Sequence, residues 1–186
     1  MADREPASAR TISIDDGPPR PWAQAGACLA QAPTYWLATV RPDGRPHLVP
    51  VLGVWVDGAP HFVANTSSRK AQNLAASAHC VISVSGDGLD VVIEGEATQI
   101  HDQPTLRRVA DAYASKYNWH VTVREGAFHD TQGAPTAGPP PYQLYRVAPT
   151  IGFGLGTSEP ARSTRWRFPP SHIQRGQRSR PAKGAQ

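Results

Sequence analysis

Apolar and polar positions alternate along most of the middle of the chain, in short runs that turn residues separate. The runs are "TYWLATV" (34–40), "HLVPVLGVWV" (47–56), "HFVAN" (61–65), "HCVISVS" (79–85), "LDVVIEGEATQI" (89–100), "YQLYRVAPT" (142–150) and "STRWRF" (163–168). A period of two places one face of each run on a core, so all seven read as strands. "RPDGRP" (41–46), "VDGAP" (56–60) and "SGDGLD" (85–90) each carry an Asp-Gly pair, the signal of a tight hairpin. Short connections make sequential strands antiparallel neighbours, and a meander that curls into a barrel is the economical arrangement. Gly95, inside the longest run, marks a bend of the kind barrels need.

Three segments break the alternation. "WAQAGACLAQ" (22–31) reads as a short helix on its Ala and Gln content, and "SRKAQNLAASA" (68–78) as a second. The third, "QPTLRRVADAYASKY" (103–117), has Pro104 near its start and sets Leu106, Val109, Ala110 and Tyr113 on one face. "KYNW" (116–119) closes that helix, either beside a substrate or in the core. Residues 118–140 then predict an irregular connection long enough to be a functional loop. The fold class is α+β: an antiparallel barrel of six to seven strands with peripheral helices.

Composition divides the chain into three. Residues 1–20 and 169–186 are polar, Pro-rich and aperiodic, which predicts disordered tails around one domain at 21–168. The net charge of +4 belongs to the C-terminal end, where seven Lys and Arg and no acid follow Glu159. Such a tail is more often a solvated extension than a nucleic-acid arm, so no nucleic-acid partner is expected. Cys28 and Cys80 sit in apolar contexts without partner spacing, as small buried side chains of a reducing compartment do. Without an 18-residue apolar run or a signal-like start, the expectation is a cytoplasmic protein with no membrane partner. His47, His61 and His79 lie on different strands without the spacing of a zinc site, so no metal is expected.

One stretch violates a local rule. In "NTSSRKAQNL" (65–74), Ser67 and Ser68 are good N-cap residues, yet Arg69 and Lys70 occupy the first turn without an acid. A helix N-terminus carries partial positive charge and favours anions there. Free backbone N–H groups, two hydroxyls, a guanidinium and an ammonium together make a donor set that suits a phosphate. The alternative is a solvated cationic surface. A second irregularity is Pro50, which cannot donate to a ladder and therefore marks an edge or a break in its strand. In "TRWRF", extended geometry puts Arg165 and Arg167 on one face and Trp166 and Phe168 on the other. That aromatic pair either packs on a core or stacks near a ring.

These segments resemble the split-barrel flavin and deazaflavin enzymes, the superfamily that includes pyridoxamine 5'-phosphate oxidase. The resemblance rests on "YWLATVRPDGRPHLVPV" (35–51), "HFVANTSSRKAQNL" (61–74), "LDVVIEGEATQI" (89–100) and "TRWRF" (164–168), with Ser68-Arg69-Lys70-Ala71 its most specific part. It implies a split β-barrel. It also implies cofactor contacts from Val49, Pro50, Val51, Asn65, Thr66, Ser67, Ser68, Arg69, Lys70, Arg165 and Trp166, and a homodimer whose subunits share each site. The vitamin B6 oxidases end in Arg-Leu-x-Pro where this chain has "TRWRFPPSHIQRG", and a glutamine of their flavin site falls on Asp90. The ending and the "RPDGRPHLVPV" hairpin look more like the branch that uses coenzyme F420.

The function so implied is hydride transfer between reduced F420 and a small conjugated or heteroaromatic substrate. Two alternatives stand beside it: an FMN-dependent oxidase or reductase, and a non-catalytic flavin-, F420- or haem-binding protein. No catalytic residue is assigned, because a redox ring supplies the chemistry and the chain supplies binding, orientation and exclusion of water.

Overall fold

The computed structural model describes residues 5–13, 17–130, 138–159 and 161–170. The expected C-terminal tail beyond residue 170 and the "TQGAPTA" part of the long connection lie outside the described residues. Among the described residues, eleven strands form one antiparallel sheet: β1 (Ser8–Thr11), β2 (Tyr35–Val40), β3 (Pro46–Val51), β4 (Gly53–Val56), β5 (Ala59–Asn65), β6 (His79–Gly86), β7 (Leu89–Ile100), β8 (Thr122–Arg124), β9 (Ala127–His129), β10 (Tyr142–Gly156) and β11 (Thr164–Arg167). Three helices interrupt them: α1 (Trp22–Gln31), α2 (Arg69–Ala76) and α3 (Gln103–Tyr117).

The main path runs β1-β11-β10-β7-β6-β2-β3, with β5 and β9 also pairing β10, and the ends of the path do not meet. This is the split barrel. Strand β10 organises it. It pairs β7 from Leu144 to Gly156, β5 from Tyr142 to Arg146 and β11 from Ile151 to Gly154. Its register shifts between Pro149 and Ile151, opposite Gly95. A Cβ on Gly95 would stand 2.4 Å from the Ala148 carbonyl oxygen, so the bend there requires glycine.

Four expectations need correction. The run 47–56 is two strands, because the chain breaks at Leu52 and β4 leaves to pair with β5. The run 142–150 continues to Gly156. Its core-facing positions there are Gly152 and Gly154, which hide the apolar alternation. They are empty of side chain because Trp166 fills the space: a Cβ on Gly154 would lie 2.5 Å from its ring. Residues 8–11, expected to be disordered, form β1 against β11. The connection after α3 contains the β8–β9 hairpin, built on Glu125 and Gly126 at positive φ.

Two apolar clusters hold the fold. The larger fills the barrel and includes Leu29, Tyr35, Leu37, Phe62, Ile82, Val91, Ile93 and Trp166. The smaller lies under α3 and joins Leu106, Val109 and Tyr113 to Val63, Phe128, Tyr142 and Leu144. The expected helix faces are the buried ones, except that Ala110 is only partly covered.

Candidate functional site

Strand β5 ends at Asn65, and the chain turns into α2 through a network centred on that residue. The Asn65 Oδ1 accepts from the Ser67 backbone N–H at 2.8 Å and from the Ser67 hydroxyl at 2.6 Å. The Ser68 hydroxyl donates to the Asn65 carbonyl at 2.7 Å and accepts from the Ala71 N–H at 3.4 Å. Ser68 is therefore the N-cap. Both serine hydroxyls are committed to the turn, which removes them from the donor set that the sequence offered to a phosphate. What faces outward is Thr66, the exposed Arg69 and the half-buried Lys70.

Neither Arg69 nor Lys70 has a hydrogen bond or an acidic neighbour among the described residues. Burial alone pulls the Lys70 pKa down. Two residues missed at the sequence level extend this cationic group. Arg41, at the end of β2, has its Nε buried without a hydrogen-bond partner. His47, near the start of β3, has its pKa lowered by partial burial and then by Arg41, Lys70 and Arg69. Fields from α2 and from the β2–β3 hairpin thus converge on one imidazole. The hairpin's own acid, Asp43, is held by Arg45 at 2.7 Å, which keeps its carboxyl below the usual range, and it meets Arg41 only through the weaker field between them.

A buried polar relay locks the two elements together. Asn73, fully buried in α2, donates from Nδ2 to the Thr39 hydroxyl at 3.0 Å, and that oxygen lies 3.4 Å from His47 Nδ1. The signal was available in the sequence. Thr39 interrupts the inward series Tyr35, Leu37, Thr39, and Asn73 sits on the buried face of α2 beside Leu74. A polar group at a core position calls for a partner, and here Thr39 supplies one for Asn73 Nδ2, while Asn73 Oδ1 is buried without one.

From this cationic end, β3 runs as an edge strand that pairs only with β2 among the described residues. Pro50 marks that edge, exposed and opposite Trp36. Val49 is half-buried and Val51 packs into the barrel core, so these three line a free strand edge with open backbone groups. A ring laid along that edge would have Val49 beneath it and unpaired N–H and C=O groups beside it.

Arg165 and Trp166 belong elsewhere. Asn65 pairs Tyr142 at the start of β10, whereas Arg165 pairs Phe153 near its end. The two levels are separated by roughly 36 Å of strand contour at about 3.3 Å per residue. Within one protomer Arg165 therefore does not join Arg69 and Lys70. Trp166 takes the core alternative. It is fully buried, 5.2 Å from Trp22 in an edge contact, and its indole N–H donates to the Arg20 carbonyl. Phe168 packs on Trp22 as well. The indole is enclosed by protein and is not free to stack on a cofactor.

With the cationic cluster and the edge strand in place, the comparisons bear on the whole arrangement. Residues 22–153 match the family model described as pyridoxamine 5'-phosphate oxidase. The chain belongs to the pyridoxamine 5'-phosphate oxidase family. The match covers everything from α1 to the second half of β10 and includes the cationic cluster and β3. Solved structures with the same fold include an F420 reductase, 22% identical, with 68% of this chain and 93% of that chain covered at a TM-score of 0.50. A conserved hypothetical protein from Mycobacterium tuberculosis is 18% identical, with 84% and 90% covered and a TM-score of 0.57. A heme binding protein from Mycobacterium smegmatis is 17% identical, with 78% and 58% covered and a TM-score of 0.55. No curated protein matches the chain. At these identities the structural likenesses establish the fold. Family membership supports a flavin- or F420-type oxidoreductase or binding protein.

Proposed function

We propose that the protein is an oxidoreductase that binds coenzyme F420 and transfers a hydride between it and a small conjugated or heteroaromatic substrate. The observation that carries this reading is the cluster of Arg41, His47, Arg69 and Lys70, whose nearby acid Asp43 is hydrogen-bonded to Arg45 and which stands at the end of a free strand edge. Three permanent cations and a titratable imidazole exceed what a lone phosphodiester needs. F420 adds carboxylates on its glutamyl tail, so its total charge fits the excess. When bound, the deazaflavin ring would supply the hydride chemistry.

The chain's own contribution follows from its geometry. Arg69, Lys70 and the open N–H groups of the first turn of α2 would hold the phosphate. The Asn73–Thr39 bond fixes α2 against β2, which keeps that anchor at a set distance from β3. Val49, Pro50 and Val51 would form the wall along which the ring lies, and Asn65 and Thr66 would border its ribityl side. Asn65 is held for this by its own bond from Nδ2 to the Pro139 carbonyl at 2.5 Å.

A homodimer is part of the same proposal. The outer sheet face exposes Trp36, Val40, Leu48 and Leu155 at 45%, 46%, 59% and 38%. Register places Pro50, Trp36, Ser83, Val92, Phe153 and Arg165 in one row across it. Trp36, Val40 and Leu48 group at the β2–β3 end of this face, and exposed apolar side chains grouped in this way favour a second copy as their cover. A second copy packed on it would bring its own Arg165 toward the β3 edge, where one protomer keeps Arg165 about 24 Å away at about 4.8 Å per strand.

FMN is the second reading, favoured by the family match itself. Fluorescence-quenching titrations with F420 and with FMN separate the two. Tight F420 binding without FMN binding is the expected result, the converse moves the protein to the flavin reading, and binding of neither overturns both. Oxidation of reduced F420 across a panel of quinones, tetrapyrroles and enones tests turnover; binding without turnover would leave a cofactor-binding protein.

A further inference from the structure

A second cation stands at the other end of the same strand edge. His47, Val49 and Val51 share one face of β3, and their neighbours on β2 are Thr39, Leu37 and Tyr35. Thr39 ties into the cationic cluster through Asn73, whereas Tyr35 lies beneath Lys116, whose Nζ is 4.8 Å from the ring centroid. From His47 to Val51 is about 14 Å at about 3.4 Å per residue. A ribityl phosphate followed by a fused three-ring heterocycle covers a span of that order.

Lys116 is held in place without being neutralised. It closes α3, and its Nζ donates to the Gly53 carbonyl at 2.8 Å, where β3 gives way to β4. The same carbonyl accepts from the Tyr117 hydroxyl at 2.7 Å, and the Tyr117 ring lies 5.2 Å from Nζ. Tyr113, one turn earlier, bonds the Leu52 carbonyl at 2.9 Å. These contacts fix the position of the ammonium but use one of its three N–H groups. No carboxylate accompanies it among the described residues, and partial burial pushes its pKa down to about 8. A helix-ending lysine that only served the α3 dipole would have no reason to be turned inward over two aromatic rings beside a strand break.

We propose that Lys116 is the ring-end cation of the site, meeting the nitrogen- and oxygen-rich edge of the bound ring where negative charge gathers on reduction. The inference rests on the cofactor reading above. Hydride addition to a neutral ring leaves one negative charge on it, and the hydride is the one exchanged with the substrate. A fixed ammonium favours that anion over the neutral oxidised ring, so Lys116 would bias affinity toward the reduced cofactor and raise its bound potential.

The test measures anaerobic affinity for oxidised and for chemically reduced F420 and FMN in the full chain, with Lys116→Met and Lys116→Arg beside the unsubstituted protein. Lys116→Met is expected to keep oxidised-cofactor affinity within about twofold and to lose reduced-cofactor affinity about tenfold. That is about 30 mV in the bound two-electron potential. Lys116→Arg restores most of the preference. Lys116→Gln, which keeps a donor for the Gly53 carbonyl and removes only the charge, gives the same readout where the Met variant is unstable. Equal losses for both redox states, or no change in either, overturn the role of Lys116 while leaving the cofactor reading standing. Failure of the unsubstituted protein to bind either cofactor overturns both.

Discussion

Helices α2 and α3 begin in opposite ways. Helix α3 starts as an isolated helix would: Asp102 caps it through a 3.0 Å bond from the Thr105 N–H, Pro104 sits in the first turn, and Lys116 lies in the last. The charges at its two ends, the Asp102 cap and Lys116, agree with the helix dipole. Helix α2 has a serine cap and then two cations with no acid in its first turn. Its stability comes instead from packing, since Ala71 and Leu74 enter the barrel core and Asn73 bonds Thr39. The contrast separates a helix start whose end charges match its dipole from one whose cations have no acid beside them among the described residues.

The largest effect should come from removing that mismatch. The double variant Arg69→Ala, Lys70→Ala loses two charge-assisted contacts, each worth about 1.5–3 kcal/mol. Cofactor affinity should fall about a hundredfold or more, and a rise in melting temperature on adding inorganic phosphate, expected of the unsubstituted protein, should be absent from the variant. Stability without ligand should stay level or rise by a few tenths of a kcal/mol, because two charges that oppose the dipole are gone. Unchanged affinity for F420 and for FMN would refute the anion site.

Asp102→Ala is the mirror experiment. It removes a cap whose loss typically costs about 1 kcal/mol. Denaturant unfolding should show that loss while cofactor affinity remains the same. If Asp102→Ala weakened binding as much as the α2 double variant does, the two helix starts would not be functionally distinct.

Much of this division was legible beforehand. Arg69 and Lys70 stood out because they broke an electrostatic rule, and Asp102 passed unnoticed because it obeyed one. The seven strand runs followed from period-two alternation. The second half of β10 did not, since Gly152 and Gly154 give up their side chains to make room for Trp166, a partner distant in sequence. For the same reason Trp166 could be read as a stacking residue until its neighbours were known. Arg41 and His47 were invisible as site residues because only tertiary packing brings a hairpin base against a helix start. The aperiodic N-terminus concealed β1, whose order depends on pairing with β11 rather than on any pattern of its own.

A smaller effect sharpens the comparison through pH. The folded-state pKa of His47 is lowered, so the ligand-free protein gains stability from a neutral imidazole above the usual value of about 6.5 and loses it as pH falls through the His range. A bound phosphate reverses the local field and favours the imidazolium. Affinity for a phosphodiester, which does not itself titrate in this range, should therefore strengthen as pH drops from about 7.5 to 6, and His47→Ala should flatten that dependence. A dependence that survives His47→Ala would place the titrating group outside the cluster.

The smallest effect concerns which donors α2 offers. If the serine hydroxyls serve the turn, as their bonds to Asn65 indicate, Ser67→Ala should cost stability of at most about 1 kcal/mol for the lost hydrogen bond. Cofactor affinity should stay within about twofold. Ser68→Ala should cost about 1 kcal/mol as a lost cap and again spare affinity once the variant is folded. A drop in phosphate affinity of tenfold or more in either variant would mean that the hydroxyl leaves Asn65 and turns to the anion on binding. The first turn of α2 would then rearrange around its ligand, whereas the cap of α3 is complete before any ligand arrives.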